Sequence, residues 1–368
     1  MKRVGFLVNP IAGMGGSVGL KGTDGPGTAR KAALLGAKPQ AIERGRLFLK
    51  GFSAVRTAVE FVTCPAGMGE DAFPGLGLSY TVLPGKASGT TSEDTKQAAR
   101  AMEVAGVAVI AFCGGDGTAR DVLDAVDGRV PALGVPAGVK MQSGVFSVNQ
   151  EAAADVVIKF LWDELPLKEG EVADVDEDAF REGRVSSKLY GYLNLPYEPE
   201  STQGMKAATP LTDEAGENQK ALAKWAVESM EDGIIYIIGP GSTVKAINTL
   251  LGIDGSLLGV DLVLDKKLLL KDAGEKEILG AIAGKRAQVI VSPIGNQGFI
   301  FGRGNQQISG RVLAELGKER VLVISTRGKL NGIDALRVDT GDPLLDRELR
   351  GSAKVLVDYN IFRVKKIR

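Results

Sequence analysis

The chain has 368 residues, 45 Lys plus Arg against 45 Asp plus Glu, and 44% apolar residues. This is material for one large or two ordinary domains with a substantial core, and a formal charge of zero leaves no electrostatic footprint for nucleic acid or an acidic membrane surface. Histidine is absent, which excludes Ser-His-Asp and Cys-His catalysis and His-ligated zinc, and leaves carboxylates, Lys, Tyr, Cys and backbone amides as working groups.

Val4 to Val8 is a buried strand pattern, followed by the loop Asn9-Pro10-Ile11-Ala12-Gly13-Met14-Gly15-Gly16. The basic start Met1-Lys2-Arg3 precedes an apolar stretch that ends at Asn9-Pro10, too short for a signal-peptide core. Ala58–Thr63 and Tyr80–Leu83 are further strand candidates, and Val107–Phe112 is the strongest. Between the last two, residues 91–105 read as a helix, with Ser92 as N-cap before Glu93 and Asp94. Near-continuous apolar strands alternating with helices predict a parallel α/β sheet covered on both faces.

A helix is expected over Gln150–Leu165, stopping before Pro166. Residues 171–197 then mix acids with short alternating runs and read as a small antiparallel piece. Residues 202–219 read as an exposed loop and Lys220–Glu231 as a helix. The α/β rhythm resumes with strand candidates Ile234–Ile238, Gly259–Leu264, Ala287–Val291, Arg320–Ser325 and Lys354–Asp358. The expected organisation is two lobes, residues 1–165 and 166–368, the first a parallel-sheet domain and the second α/β or α+β, with a cleft between them.

The chain carries 49 glycines, roughly twice the ordinary share, and they cluster where apolar runs end. The sharpest cluster is Gly114-Gly115-Asp116-Gly117-Thr118, directly after the best strand and before the helical pattern Ala119–Val126. Consecutive glycines let backbone N–H groups approach a phosphate, and the helix start adds its positive dipole end. A carboxylate beside phosphates repels them, so Asp116 must be there either to accept a hydroxyl proton or to hold Mg²⁺. The alternative is a tight turn capped by Asp116.

A second cradle, Gly239-Pro240-Gly241-Ser242-Thr243, follows the strand candidate 234–238 and precedes helical Val244–Leu251. Its amides and hydroxyls suit a phosphate or ribose-phosphate, and an ordinary capped turn fits nearly as well. The third loop, Ser292 to Gly298, continues into Gly302-Arg303-Gly304-Asn305-Gln306-Gln307. Here Arg303 is read as neutralising phosphate charge and Asn296 and Asn305 as reading a base or sugar. Residues 134–140, ending in Lys140, are placed on the rim of the first site, Lys140 as a phosphate point charge or a plain surface lysine. Ligands in open α/β sheets lie beyond the carboxyl ends of strands, so several of these loops can line one site.

Other signals are weaker. Gly67-Met68-Gly69-Glu70-Asp71-Ala72 fits a loose dinucleotide pattern. Cys64 and Cys113 have neither metal nor disulfide spacing, and Cys113 is read as core. Asp121 and Asp124 read as a solvated helix face, and Asp261, Asp265 and Lys266-Lys267 as ordinary surface.

Asn9-Pro10 with Gly13, followed a hundred residues later by Gly114-Gly115-Asp116-Gly117-Thr118, resembles the superfamily of NAD kinases, diacylglycerol and sphingosine kinases and 6-phosphofructokinases. Together with residues 134–141 and the loops at 239–243 and 292–307, it is similar to the ATP/polyphosphate–NAD kinase branch, along most of the chain. The resemblance implies an N-terminal α/β lobe and phosphoryl transfer from ATP or polyphosphate to a hydroxyl, NAD being the acceptor and NADP the product. It implies Asp116 as base, the motif glycines and Thr118 on donor phosphates, and Mg²⁺ bridging those phosphates. The chain departs from the family downstream, where Asn149-Gln150-Glu151 is the nearest approach to the Asn-Glu or Asn-Asp pair that recognises adenosine. Two other readings stand beside it: a kinase of another small-molecule or lipid hydroxyl, and a nucleotide-binding regulator without turnover. A cytoplasmic protein with nucleotide and small-molecule partners, without nucleic acid or membrane, is expected; a homo-oligomer is left open.

Overall fold

In a computed structural model the described residues are 1–16, 18–20, 27–88, 91–138, 141–175, 187–199, 201–202, 213–294 and 297–368. Contacts group the chain into two compact units. The first is Met1–Met14, Gly22–Ala33 and Lys38–Lys206; the second is Gly15–Lys21, Leu34–Ala37 and Ala207–Arg368.

The first unit is built on five strands: β1 (Lys2–Val8), β2 (Val59–Thr63), β3 (Ser79–Val82), β4 (Val109–Gly114) and β5 (Ala132–Pro136). Their order is β3-β2-β1-β4-β5 and every pairing is parallel. All six residues of β4 are buried, because helices cover both faces. Ala41–Lys50 and Gln150–Leu161 pack on one side, Ser92–Val104 and Asp116–Val126 on the other. Phe6 stacks on Phe48, and edge contacts continue through Phe52, Phe61 and Phe73. From β1 the chain steps outward to β2 and β3, then returns to the opposite flank of β1 for β4. The strand order therefore reverses between β1 and β4, the place where such sheets open a crevice. An antiparallel hairpin, β6 (Leu167–Val175) and β7 (Ser187–Pro196), completes this unit.

The second unit carries a seven-stranded sheet, in spatial order 267–270, 261–264, 235–238, 287–291, 321–324, 351–358 and 361–367. Its centre is β8 (Ile235–Ile238), β11 (Ala287–Val291), β13 (Val321–Ile324) and β15 (Gly351–Asp358), all mutually parallel. At the flanks β9 (Asp261–Leu264) pairs antiparallel with β8, β10 (Lys267–Leu270) antiparallel with β9, and β16 (Ile361–Ile367) antiparallel with β15. Apolar clusters lie around this sheet: Val289 and Val323 belong to one, Ile290 and Ile324 to another. A small parallel pair, β12 (Phe299–Phe301) and β14 (Arg337–Val338), stands apart.

Several local expectations are corrected. Residues 203–212 of the expected 202–219 loop lie outside the described residues, and a helix already begins at Asp213. An acidic run in sequence suits the positive end of a helix and equally a solvent-facing loop. The N-cap of helix Ser92–Val104 is Thr91, whose N–H and hydroxyl both donate to Asp94, while Ser92 is already helical. The helix from Gln150 stops at Leu161. Residues 134–136, expected on a rim, are strand. Residues 66–72 form two short 3₁₀ turns, so the loose dinucleotide pattern has no helix start behind it. Asp261 is no surface residue: it is 1% exposed, and its carboxylate accepts from Asn248 Nδ2 at 2.8 Å, Ser256 N at 2.7 Å and Asp272 N at 3.0 Å. Burial pushes its pKa upward, against the pull of those donors.

Candidate active site

Three strand ends of the first unit deliver backbone to one place. The Asn9 N–H donates to Cys113 O at 2.9 Å, and the N–H groups of Ala137 and Gly138 both donate to Gly114 O at 3.0 Å. The turns after β1, β4 and β5 are thereby stitched edge to edge. Close approach requires glycine here. Gly13 has φ +77°, and a Cβ would stand 2.1 Å from Ala137 O; a Cβ on Gly138 would stand 2.9 Å from Gly115 Cα. The result is a floor of main chain with few side chains in the way.

Asp116 is the first residue of helix Asp116–Val126, and Gly115 at the N-cap offers no side chain to the first-turn amides. Those N–H groups and the helix dipole favour an anion at this end. The Asp116 side chain is 8% exposed. Its Oδ2 accepts from Gln142 N at 2.7 Å and its Oδ1 from Ser143 N at 2.9 Å. Two amides of one short turn thus fix both oxygens and the carboxylate plane, on a group whose oxygens can each accept more than one hydrogen bond. Thr118 is buried within the first turn of the same helix, its hydroxyl oxygen accepting from Asn9 Nδ2 at 3.0 Å.

The structure therefore brings together seven of the sequence-selected residues: Asn9, Gly13, Gly114, Gly115, Asp116, Gly117 and Thr118. Lys140 and Asn296 lie outside the described residues. The remaining ones belong to the second unit. Gly239, Gly241, Ser242 and Thr243 form the turn from β8 into helix Ser242–Leu250, again with a glycine N-cap, φ +118° at Gly241, and no side-chain cap. Arg303 and Asn305 follow β12. Arg303 is 3% exposed, its Nε 3.5 Å from Asp339 Oδ2 and its guanidinium 4.0 Å above the Phe299 ring. Asn305 Nδ2 donates to Ile300 O at 2.8 Å. The Arg303 charge is thus engaged within its own unit.

Gln142 and Ser143 escape sequence reasoning. They contribute through backbone N–H groups that any residue carries, so their residue types give no signal. Asn149 proves to be an N-cap, its Oδ1 accepting from Ala152 N at 2.7 Å, and Gln150 Nε2 donates to Pro136 O at 2.8 Å. Asn149 thus caps helix Gln150–Leu161, and Gln150 ties the helix start to the end of β5. The thiols of Cys64 and Cys113 are pushed up to about 12 by burial. Asp124 is held by Lys96 and Tyr190, and Asp121 by Ser92.

The hard-oxygen groups at the glycine-rich turn are the Asp116 carboxylate and the Thr118 hydroxyl. Among the described residues no group of three His, Cys, Asp or Glu side chains is arranged to hold a metal ion. Mg²⁺ binds through one or two carboxylates together with substrate phosphates, and this donor set fits that mode. No helix among the described residues is long and apolar enough to cross a membrane.

Comparison with known families matches both parts of the chain. Residues 4–164 match the ATP-NAD kinase N-terminal domain, and residues 231–366 match the ATP-NAD kinase C-terminal domain. No match is found among curated proteins.

Proposed function

Since the chain belongs to the ATP-NAD kinase family and is a kinase that phosphorylates NAD, we propose that it transfers a phosphoryl group from ATP, or from polyphosphate, to the ribose 2′-hydroxyl of NAD, with Asp116 as the base. The observation that carries this reading is the Asp116 carboxylate, fixed at both oxygens at the switch point of the first sheet. Family membership favours this reading over the lipid-kinase and regulator readings.

Phosphoryl transfer needs positioning and charge stabilisation more than covalent chemistry from the protein. The amides of the 114–118 turn would hold donor phosphate oxygens at the helix start. Asp116 accepts the proton of the hydroxyl whose oxygen forms the new bond to phosphorus; the old phosphorus–oxygen bond breaks, and the shortened donor leaves with that electron pair. The Asp116 carboxylate and the Thr118 hydroxyl are the protein oxygens that would help to hold Mg²⁺, which would supply charge neutralisation on the donor phosphates. In the second unit we read the Gly239–Thr243 turn as a further cradle for a phosphate or ribose-phosphate, on the strength of its uncapped helix start.

The test is label transfer. Purified protein with Mg²⁺ and NAD receives γ-labelled ATP in one arm and end-labelled polyphosphate in the other. Label in NADP is expected in at least one arm, and that arm identifies the donor. Label released only as inorganic phosphate in both arms would contradict the transfer reading.

A further inference from the structure

The two amides that fix Asp116 are themselves held from behind. Residues 141–144 follow β5 and then lie against the β6–β7 hairpin. Ser143 is fully buried, and its hydroxyl oxygen accepts from Ala173 N of β6 at 2.9 Å. The next residue continues the attachment, Gly144 N donating to Glu171 O at 2.7 Å. The hairpin ladder is irregular at this point: Val172 pairs with Gly191 and Ala173 with Leu189, which leaves Tyr190 as an extra residue on β7. Such bulges redirect strand groups and recur beside working sites. Here the Ala173 amide goes to Ser143, and the extra Tyr190 donates its hydroxyl to Asp124 at 2.9 Å. Asp124 lies on the helix that Asp116 begins. The hairpin therefore grips both the helix bearing the carboxylate and the turn bearing its two N–H donors.

We propose that Ser143 is a positioning residue for Asp116: its buried hydroxyl fastens the 141–144 turn to the hairpin and so aims the paired amides that orient the carboxylate. The proposal rests on the reading of Asp116 as base. Without the hydroxyl the turn loses its side-chain anchor, the Ala173 N–H loses its acceptor, and the carboxylate loses the fixed plane in which it meets the acceptor hydroxyl. Ground-state binding of NAD does not depend on that plane, so turnover changes and affinity does not.

The experiment is a double-mutant cycle on the full chain, with Ser143→Ala, Asp116→Asn and the double variant assayed for NADP formation. Folding is checked by circular dichroism. Ser143→Ala is expected to lower kcat by about 10- to 100-fold, the scale of a misplaced reacting group, with KM for NAD kept within about twofold. In the Asp116→Asn background the same change is expected to alter the residual turnover by less than about twofold, because Ser143 acts through Asp116. Ser143→Thr, which keeps the acceptor oxygen, restores most of the turnover. An unchanged kcat in Ser143→Ala, or an equal fold-loss in both backgrounds, overturns the proposal. If Ser143→Ala does not fold, Ser143→Cys carries the same comparison with a weaker acceptor of similar shape. Wild-type turnover in Asp116→Asn alone is a separate result, and removes the base reading itself.

Discussion

Asp116 begins a helix, while the two N–H groups on its carboxylate come from a turn 26 and 27 residues further on. Half of that arrangement is written in the sequence. The run 114–118 states a strand end, a turn without side chains, a carboxylate and a helix start within five consecutive residues, and each has a local physical signature. The other half is invisible because an N–H donor has no residue identity. Asp261 misleads for a related reason: its burial depends on partners drawn from a helix and two turns, Asn248, Ser256 and Asp272. Gly13→Ala forces φ +77° on a residue with a Cβ, which would stand 2.1 Å from Ala137 O. A loss of roughly 1–3 kcal/mol in denaturant unfolding is expected, together with weakened turnover. The thiols of Cys64 and Cys113, near 12, leave a thiolate fraction of about 1 in 10,000 at pH 8. A chromogenic disulfide reagent should therefore titrate them only after denaturant is added.

Strands are legible where a short run is almost wholly apolar, as in Val4–Val8 of β1, in β4, β8 and Val289–Val291 of β11, because burial on both faces leaves little polar alternation to blur the signal. Edges are harder. β10 begins with Lys267, and residues 267–269 are exposed; β9 and β10 join through Asp265 and Lys266, both at positive φ, as a two-residue hairpin turn requires. Helix starts are harder still. The acidic run 213–217 has a composition that suits a helix N-terminus and equally describes a solvent-facing loop, and only the apolar face at Leu222, Ala223 and Ala226 decides between them. Asn149 illustrates a motif absorbed by structure. As N-cap it accepts from Ala152 N, and Asn149→Ala should cost about 1 kcal/mol of unfolding free energy. Its effect on KM for NAD should be small, since Asn149 serves the helix.

On the scale of the whole chain, two sheets with their own apolar clusters account for the division into units. The first reads in sequence as a parallel domain, and its strand order supplies the switch point. The second reads α/β in sequence and is built on four parallel strands widened by antiparallel edges. Ligand binding belongs to this scale because it is linked to folding as a whole. NAD that binds only the native chain stabilises it by about 2.7 kcal/mol at a hundredfold excess over Kd, so a rise in Tm with NAD concentration is expected. Asp116→Asn, which keeps the shape of the side chain, should preserve that rise.

The role of Asp116 as base is tested by coupling that shift to chemistry. NADP formation by the wild-type chain and by Asp116→Asn is followed at saturating donor, Mg²⁺ and NAD, with the Tm rise recorded for both proteins. The variant is expected to keep the Tm response unchanged and to turn over about 10²- to 10⁴-fold more slowly, the range for removal of a positioned base. Turnover equal to wild type in a variant that folds and binds NAD would contradict that role.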